Sequence, residues 1–505
     1  MSYSSRRCRS APPAKWPRRI CACSSRTTHC RNDEETHVTA KPTAATPAAP
    51  DNARRAALNP LVDRPILPTL VSLAAPNMAA MLASAAVAIA ETTYVGTFGT
   101  GALAGIALVF PMVMLQQMLS SGAMGGGVSS AVSRALGAGD VPRAETLARH
   151  AVAIGLAGGL AFTLLFLLFG RPIYALLGGS GAAIESALAY SNIAFLGATA
   201  IWLTNTLASI ARGTGNMRVP SAALLGASVV QVVVGGVLGL GLGPFPRLGM
   251  PGVASGLVVA FTGAALYLIW YLAMSGRSPV RLRVAGAPFS WAMFRDILKV
   301  GAIACVSPLQ SVLTVLVLTA IAARFGTEAL AGYGIGARLE FLLVPITFAI
   351  GVACVPMVGM AIGAGDVERA RRVAWTGAGL SAALLGVLGI VVAIWPELWA
   401  GRFTTDARVI EATSTYLRWA APCYAFFGLG LCLYFAAQGS GRILGPVLAQ
   451  SVRLVVIVVG GLWLASVGAP VWMLFALVGV AMIAYGLAMS LAVHLSDWTP
   501  ERRTA

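Results

Sequence analysis

From Pro65 to Leu495 the chain is a succession of long apolar runs separated by short polar connections. This pattern constrains the fold more than any other feature. About 20 apolar residues is the length a helix needs to cross ~30 Å of hydrocarbon. Inside a bilayer no water bonds the backbone, so a spanning segment must satisfy its own N–H and C=O groups. A helix does so locally, whereas the strands of a membrane β-barrel alternate apolar and polar residues. The runs here are continuous, which favours helices. Composition agrees: 57% of residues are hydrophobic and 11% charged, against about 25% charged in a soluble domain. Twelve spans are predicted, at 66–90, 103–127, 148–170, 185–210, 219–243, 251–274, 297–322, 331–359, 374–396, 412–437, 446–467 and 470–494. The chain reads as an all-α polytopic membrane protein.

The net charge of +17 does not make it a nucleic-acid binder, because the arginines are scattered over connections and form no stripe with aromatic residues. They are topology signals. With the N-terminus inside, 19 basic residues from Arg54 onward fall on one side, Arg134, Arg143, Arg149, Arg212, Arg369 and Arg442 among them, and 6 on the other. The positive-inside rule then places both termini in the cytoplasm, with the chain integral to a bacterial inner membrane. Residues 1–58 are a basic, Ser/Thr/Ala/Pro-rich region, read either as a disordered tail or as a gene start set too far upstream. Cys8, Cys21, Cys23 and Cys30 lie there beside His29 in no regular zinc spacing, and Cys305, Cys354, Cys423 and Cys432 lie in apolar segments as small hydrophobes. The spans carry no HExxH, GxSxG or paired catalytic carboxylates. Neither an enzyme, a cofactor nor a metal is expected.

The chain repeats itself. GTGALAG (99–105) returns as GTEALAG (326–332), ALGAGDVPRA (135–144) as AIGAGDVERA (361–370), and RGTGNMRVP (212–220) as QGSGRILGP (438–446). The offsets are 227, 226 and 226. The duplicated unit is six helices, so the copies are parallel repeats about an axis along the membrane normal, with a binding cavity at their interface. The expected division is a tail at 1–58, an N-lobe of helices 1–6 at 59–284, a C-lobe of helices 7–12 at 285–497, and a cytoplasmic C-terminus at 498–505. In each GAGD connection Gly gives the turn, and Asp140 or Asp366 is placed to cap the next helix.

Charges left at membrane depth cost at least ~2.5–3.5 kcal/mol each on insertion scales, so they face a cavity or a partner. Glu91, Arg338, Glu340 and Arg453 are such groups. Position alone leaves Glu91 two readings, a rim carboxylate in water or a desolvated group that takes up and releases a proton. Arg338 and Glu340 are two apart on one helix and face different ways, and Arg453 is the expected partner of Glu340. Pro76 removes a backbone bond in mid-span and bends the first helix. The amides Gln117, Asn205 and Gln310, together with Gln116, Gln231 and Gln450, serve either packing between helices or a substrate cavity.

The stretches ETTYVGTFGTGALAG (91–105), LGAGDVPRA, RGTGNMRVP, GLGPFPRLGMPG (241–252), ALAGYGIGARLE (329–340) and QGSGRILGP resemble the multidrug and toxic compound extrusion (MATE) transporters. GYGIGARLE is similar to the branch named for the DNA-damage-inducible F protein. The resemblance covers about 66–495 and implies twelve helices in two pseudo-symmetric six-helix lobes. It also implies that Glu91 stands where the family carries a first-helix Asp, a proton or cation site, with Pro76 as the bending proline. The branch often carries an Asn and, four residues later, an Asp on the fifth helix; Gln231 and Gly235 stand there, so the second acid is missing. The family's alternative sodium acids in the seventh and tenth helices have no counterpart in 297–322 or 412–437.

The expected function is a monomeric antiporter. It would export small organic compounds, cationic or lipophilic, in exchange for protons, with coupling residues Glu91 and Gln231. The alternatives are a sodium-coupled exporter or a lipid-linked-sugar flippase.

Overall fold

The computed structural model describes residues 60–283 and 288–499. The tail with Cys8, Cys21, Cys23, Cys30 and His29, the expected lobe boundary at 284/285, and Arg54, Arg55, Arg502 and Arg503 lie outside the described residues. The described residues are helical and contain no strand. Eleven helices are long and apolar enough to span a membrane, and a twelfth span is a pair bent by 46°.

The spans are α1 (Ile66–Gly96), α2 (Thr100–Gly137), α3 (Val141–Leu176), α4 (Gly181–Leu196 and Ala198–Gly213), α5 (Arg218–Leu240), α6 (Met250–Ala273), α7 (Trp291–Arg324), α8 (Thr327–Gly363), α9 (Val367–Ile394), α10 (Ala407–Ser440), α11 (Leu444–Ser466) and α12 (Val471–Leu495). Most run past the predicted limits; α8 has 37 residues where 331–359 was predicted. Hydropathy marks only the segment facing hydrocarbon, while the hydrogen-bonded helix continues to its cap. Glu91 accordingly sits inside α1, five residues before its end at Gly96, and not at the edge of a span.

The duplication is visible in the backbone. Gly99 and Gly326 precede α2 and α8 with φ of 105° and 113°, Gly139 and Gly365 follow those helices at 75° and 84°, and Gly215 and Gly441 follow α4 and α10 at 83° and 81°. Left-handed φ is where L side chains clash, so glycine recurs. Asp140 accepts a hydrogen bond from the Arg143 amide at 3.1 Å, and Asp366 from the Arg369 amide at 2.8 Å, each capping its helix.

The copies differ by one residue between GTGALAG and GAGD, which explains the change of offset from 227 to 226. The structure places that extra residue. Met118–Met124 in α2 is a π-helical turn, whereas α8 is α-helical throughout. A π turn closes i→i+5 bonds and so absorbs one inserted residue without ending the helix, an arrangement frequent at functional sites.

Three apolar cores hold the bundle. One, with Val95, Val109, Phe166, Tyr174 and Phe195, fills the far half of the first lobe, the half away from the start of α1. A second, with Leu318, Tyr333, Tyr416 and Phe475, fills the far half of the other lobe. The third, with Leu70, Val128, Leu147, Ile297, Val358 and Phe435, joins both lobes at the near end. There the backbones touch through small residues. A methyl group on Gly137 would strike the Met360 backbone, and one on Gly363 would strike that of Arg134. These four positions are related by the 226-residue repeat, so this contact lies on the pseudo-twofold axis. Asp296, at the start of α7, bonds Arg134 at 2.9 Å and Arg143 at 2.7 Å across the same junction.

Candidate functional site

Glu91 is held by its own lobe. Gln231 on α5 donates its Nε2 hydrogen to Oε1 at 2.9 Å, and the Tyr190 hydroxyl on α4 donates to Oε2 at 3.5 Å. Gln231 and Tyr190 are buried, at 7% and 2% exposure. The place of the missing second acid is a tight helix contact. Gly235 lies against Gly256 of α6, where a methyl on Gly256 would come within 2.5 Å of the Gly235 nitrogen. A Cβ on Gly235 would itself lie 3.2 Å from the Val253 carbonyl oxygen, so a side chain here would press on the α6 backbone.

The second lobe has its own carboxylate. Glu340 on α8 accepts a short hydrogen bond from the Tyr416 hydroxyl on α10, and its other oxygen stands 4.0 Å from Arg453 on α11. The Arg453 guanidinium also lies 5.1 Å from the centre of the Phe427 ring. Tyr190 and Tyr416 are repeat partners, 226 residues apart, so both lobes use the same hydroxyl to hold a carboxylate. The acids themselves are not partners: Leu318 corresponds to Glu91, and Val113 to Glu340. The tyrosines carried a sequence signal, their shared register, that an inspection of charges alone passes over.

The remaining candidates separate. Arg338 is exposed, with its guanidinium 5.4 Å from the Phe403 ring, and takes no part in the Glu340 cluster. Pro76 is half-buried inside α1, and the next residue, Asn77, is 1% exposed with its Nδ2 unpartnered. Asn205 Nδ2 donates to Gln117 Oε1 and to Ser120 Oγ, both at 2.8 Å, so the α4 amide grips the π turn of α2. Gln310 Nε2 donates to Ser451 Oγ at 2.6 Å, tying α7 to α11. Gln117 and Asn205 thus form one pair in the first lobe, and Gln310 belongs to a separate pair in the second.

One residue was misplaced by sequence reasoning. Arg212, counted with the connections, is the penultimate residue of α4 and is 3% exposed. The helix runs three residues beyond its predicted end, which carries Arg212 into the bundle. It lines an enclosed space at the lobe junction with Ser129, Ser209, Val352, Val355 and Phe435.

The MatE family model matches the chain twice, over residues 76–237 and 303–464. The chain belongs to the MATE family. The two matches begin 227 residues apart, as the duplication requires. Among curated relatives, an FAD transporter of Shewanella oneidensis is 26% identical over 376 residues, covering 74% of this chain and 82% of that protein. The probable multidrug resistance protein NorM of Thermotoga maritima is 26% identical over 391 residues, covering 76% and 82%. The multidrug export protein MepA of Staphylococcus aureus is 24% identical over 397 residues, covering 78% and 86%. A crystal structure of MATE in the straight conformation superposes with a TM-score of 0.80 at 21% identity, over 87% of this chain and 97% of that one. An outward-facing MATE transporter gives 0.77 at 21% identity, over 86% and 96%. This MATE protein is therefore a multi-pass membrane transporter and not an enzyme.

Proposed function

We propose that this MATE protein is a secondary antiporter that exports organic compounds, cationic or lipophilic, in exchange for protons by alternating access. The observation that carries the reading is Glu91, a carboxylate in the far half of the first lobe that accepts hydrogen bonds from Gln231 and Tyr190. An ionised carboxylate only accepts; a protonated one must also donate. Proton loading therefore breaks one of these bonds or forces the Gln231 amide to turn, which rearranges α1 against α4 and α5. Because α1 also reaches the shared near-end core through Leu70 and Ala74, with Pro76 between the two regions, a change at Glu91 is transmitted to the lobe junction.

The 19 to 6 distribution of basic residues supports a cytoplasmic near end, both termini inside and an inner-membrane location. Lobes joined at the near end and separately packed at the far end then correspond to an outward-facing state. Sodium coupling is disfavoured because a hard cation needs several converging oxygens, and Glu91 is surrounded by donors. A lipid-linked-sugar flippase would need a strongly cationic cavity. The names of NorM, MepA and the Shewanella FAD transporter are in keeping with a broad range of organic cargo.

The test is efflux from proteoliposomes under an imposed pH gradient and, separately, an imposed sodium gradient, against a panel of dyes and drugs. Efflux should follow the pH gradient, and Glu91→Gln should abolish it with the protein still in the membrane. Unchanged efflux in that variant removes Glu91 from the mechanism.

A further inference from the structure

Arg212 is a buried cation with no counter-charge bonded to it among the described residues. It is 3% exposed, its Nε has no hydrogen-bond partner, and among the described residues no hydrogen bond or ion pair reaches its side chain. A buried guanidinium in this situation is strongly unfavourable unless an anion or several acceptors compensate it. Its repeat partner has the same peculiarity. Gln438, 226 residues on, is 0% exposed, and neither its Oε1 nor its Nε2 is hydrogen-bonded. The two residues end the fourth helix of each lobe, and each is pressed against the other lobe. Arg212 shares its enclosed space with Val352, Val355 and Phe435, while Gln438 abuts Gly126 of α2. The unpaired groups therefore converge about the pseudo-twofold axis.

The space beside Arg212 is small and polar on one side. About 10 Å³ is left free, room for about one water molecule. The first lobe contributes Arg212, Ser209 and Ser129, whose Oγ is also buried without a partner. The second lobe contributes apolar walls. The π turn of α2 supplies Ser121 and Gly122 to the lining, so the one-residue insertion that sets this lobe apart from its copy lies at this space. A cation, a free hydroxyl and no carboxylate make a receptor for a small anion.

We propose that Arg212 is the centre of an anion-binding site at the junction of the lobes. It takes a monovalent anion of few atoms, either a halide from solution or the carboxylate of a transported compound. The second source rests on the export reading above; the site itself does not. In the present state the walls of the second lobe admit only a single small ion. Separation of the lobes at the near end would uncover the guanidinium and admit a larger molecule by its anionic group. What the site holds then changes with the transport cycle, a small ion while both lobes enclose it and a larger anionic group once they part.

The test uses the purified full chain. Thermal unfolding is followed in sodium chloride, sodium bromide, sodium acetate and sodium benzoate, against the bulky HEPES anion at equal ionic strength. Chloride or bromide at ~100 mM should raise the wild-type midpoint by roughly 2 °C or more. Arg212→Lys should keep part of that shift, and Arg212→Gln should lose it. A crystal grown in bromide should show an anomalous peak beside Arg212, and this decides the matter if Arg212→Gln fails to fold. Halide stabilisation that carboxylates do not displace assigns the site to a free inorganic anion. Displacement by benzoate, with Arg212→Gln losing export of carboxylated dyes but not of cationic ones, assigns it to the cargo. No shift with any of the four anions together with no bromide peak, or equal shifts in wild type and Arg212→Gln, overturns the proposal. Anion binding with no pH-driven efflux would sink the export reading and leave the site standing.

Discussion

Asp296 should act as the latch of the near end. Its two oxygens meet Arg134 at 2.9 Å and Arg143 at 2.7 Å, joining the start of α7 to α2 and α3 across the lobe junction. The three side chains are 23–27% exposed, between a solvated surface pair and a sealed one. Exposed pairs contribute up to ~1 kcal/mol and charged hydrogen bonds ~1.5–3 kcal/mol, so each contact here is worth roughly 1–1.5 kcal/mol. Asp296→Asn keeps one carbonyl oxygen, a neutral acceptor for one guanidinium, and loses roughly 1–2 kcal/mol of the total. If the bonds exist only while the near end is closed, the open population rises by roughly 5–30-fold. The assay is maleimide labelling of Ser133→Cys followed at that residue by mass spectrometry, since Ser133 is fully buried against Gly359 of the other lobe. Labelling should speed up by that factor in Asp296→Asn, and the difference should shrink in high salt as the pairs are screened. A change under about twofold at low salt would refute the latch.

Two further outcomes follow from the geometry. Arg453→Met leaves Glu340 with only Tyr416, so it should destabilise the protein by about 1–3 kcal/mol, and adding Glu340→Gln should restore more than half of that in thermal melts. Asp140→Ala and Asp366→Ala each remove one helix cap and should cost about 1 kcal/mol apiece, equal within about 0.5 kcal/mol because the caps are repeat partners.

Much of the architecture was legible because its causes are local. Apolar length dictates a spanning helix whatever surrounds it, and GAGD gives a left-handed glycine and an aspartate cap from four residues alone. The Glu340–Arg453 contact could be anticipated from the need of any intramembrane charge for a partner. What escaped was whatever depends on where helices meet. Arg212 and Arg218 look alike in a list of basic residues, yet Arg218 is exposed at the start of α5 and Arg212 is buried between lobes. The tyrosines that hold both carboxylates look like ordinary span residues until the fourth helix of each lobe turns them inward. Gly235 reads as a lost acid in the sequence; in the fold it is the point where α5 and α6 touch.

By itself the sequence determined the helices, their number, their caps and their duplication, because these follow from residue-by-residue transfer out of water and from allowed backbone angles. It even recorded the extra residue in the first copy. Only the tertiary structure decided that this residue becomes a π turn, that two unlike carboxylates share one tyrosine frame, and that an unpaired cation ends up beside the symmetry axis. Those outcomes depend on the approach of helices distant in the chain, where a shift of one residue turns a side chain by about 100° and exchanges lipid for a neighbour.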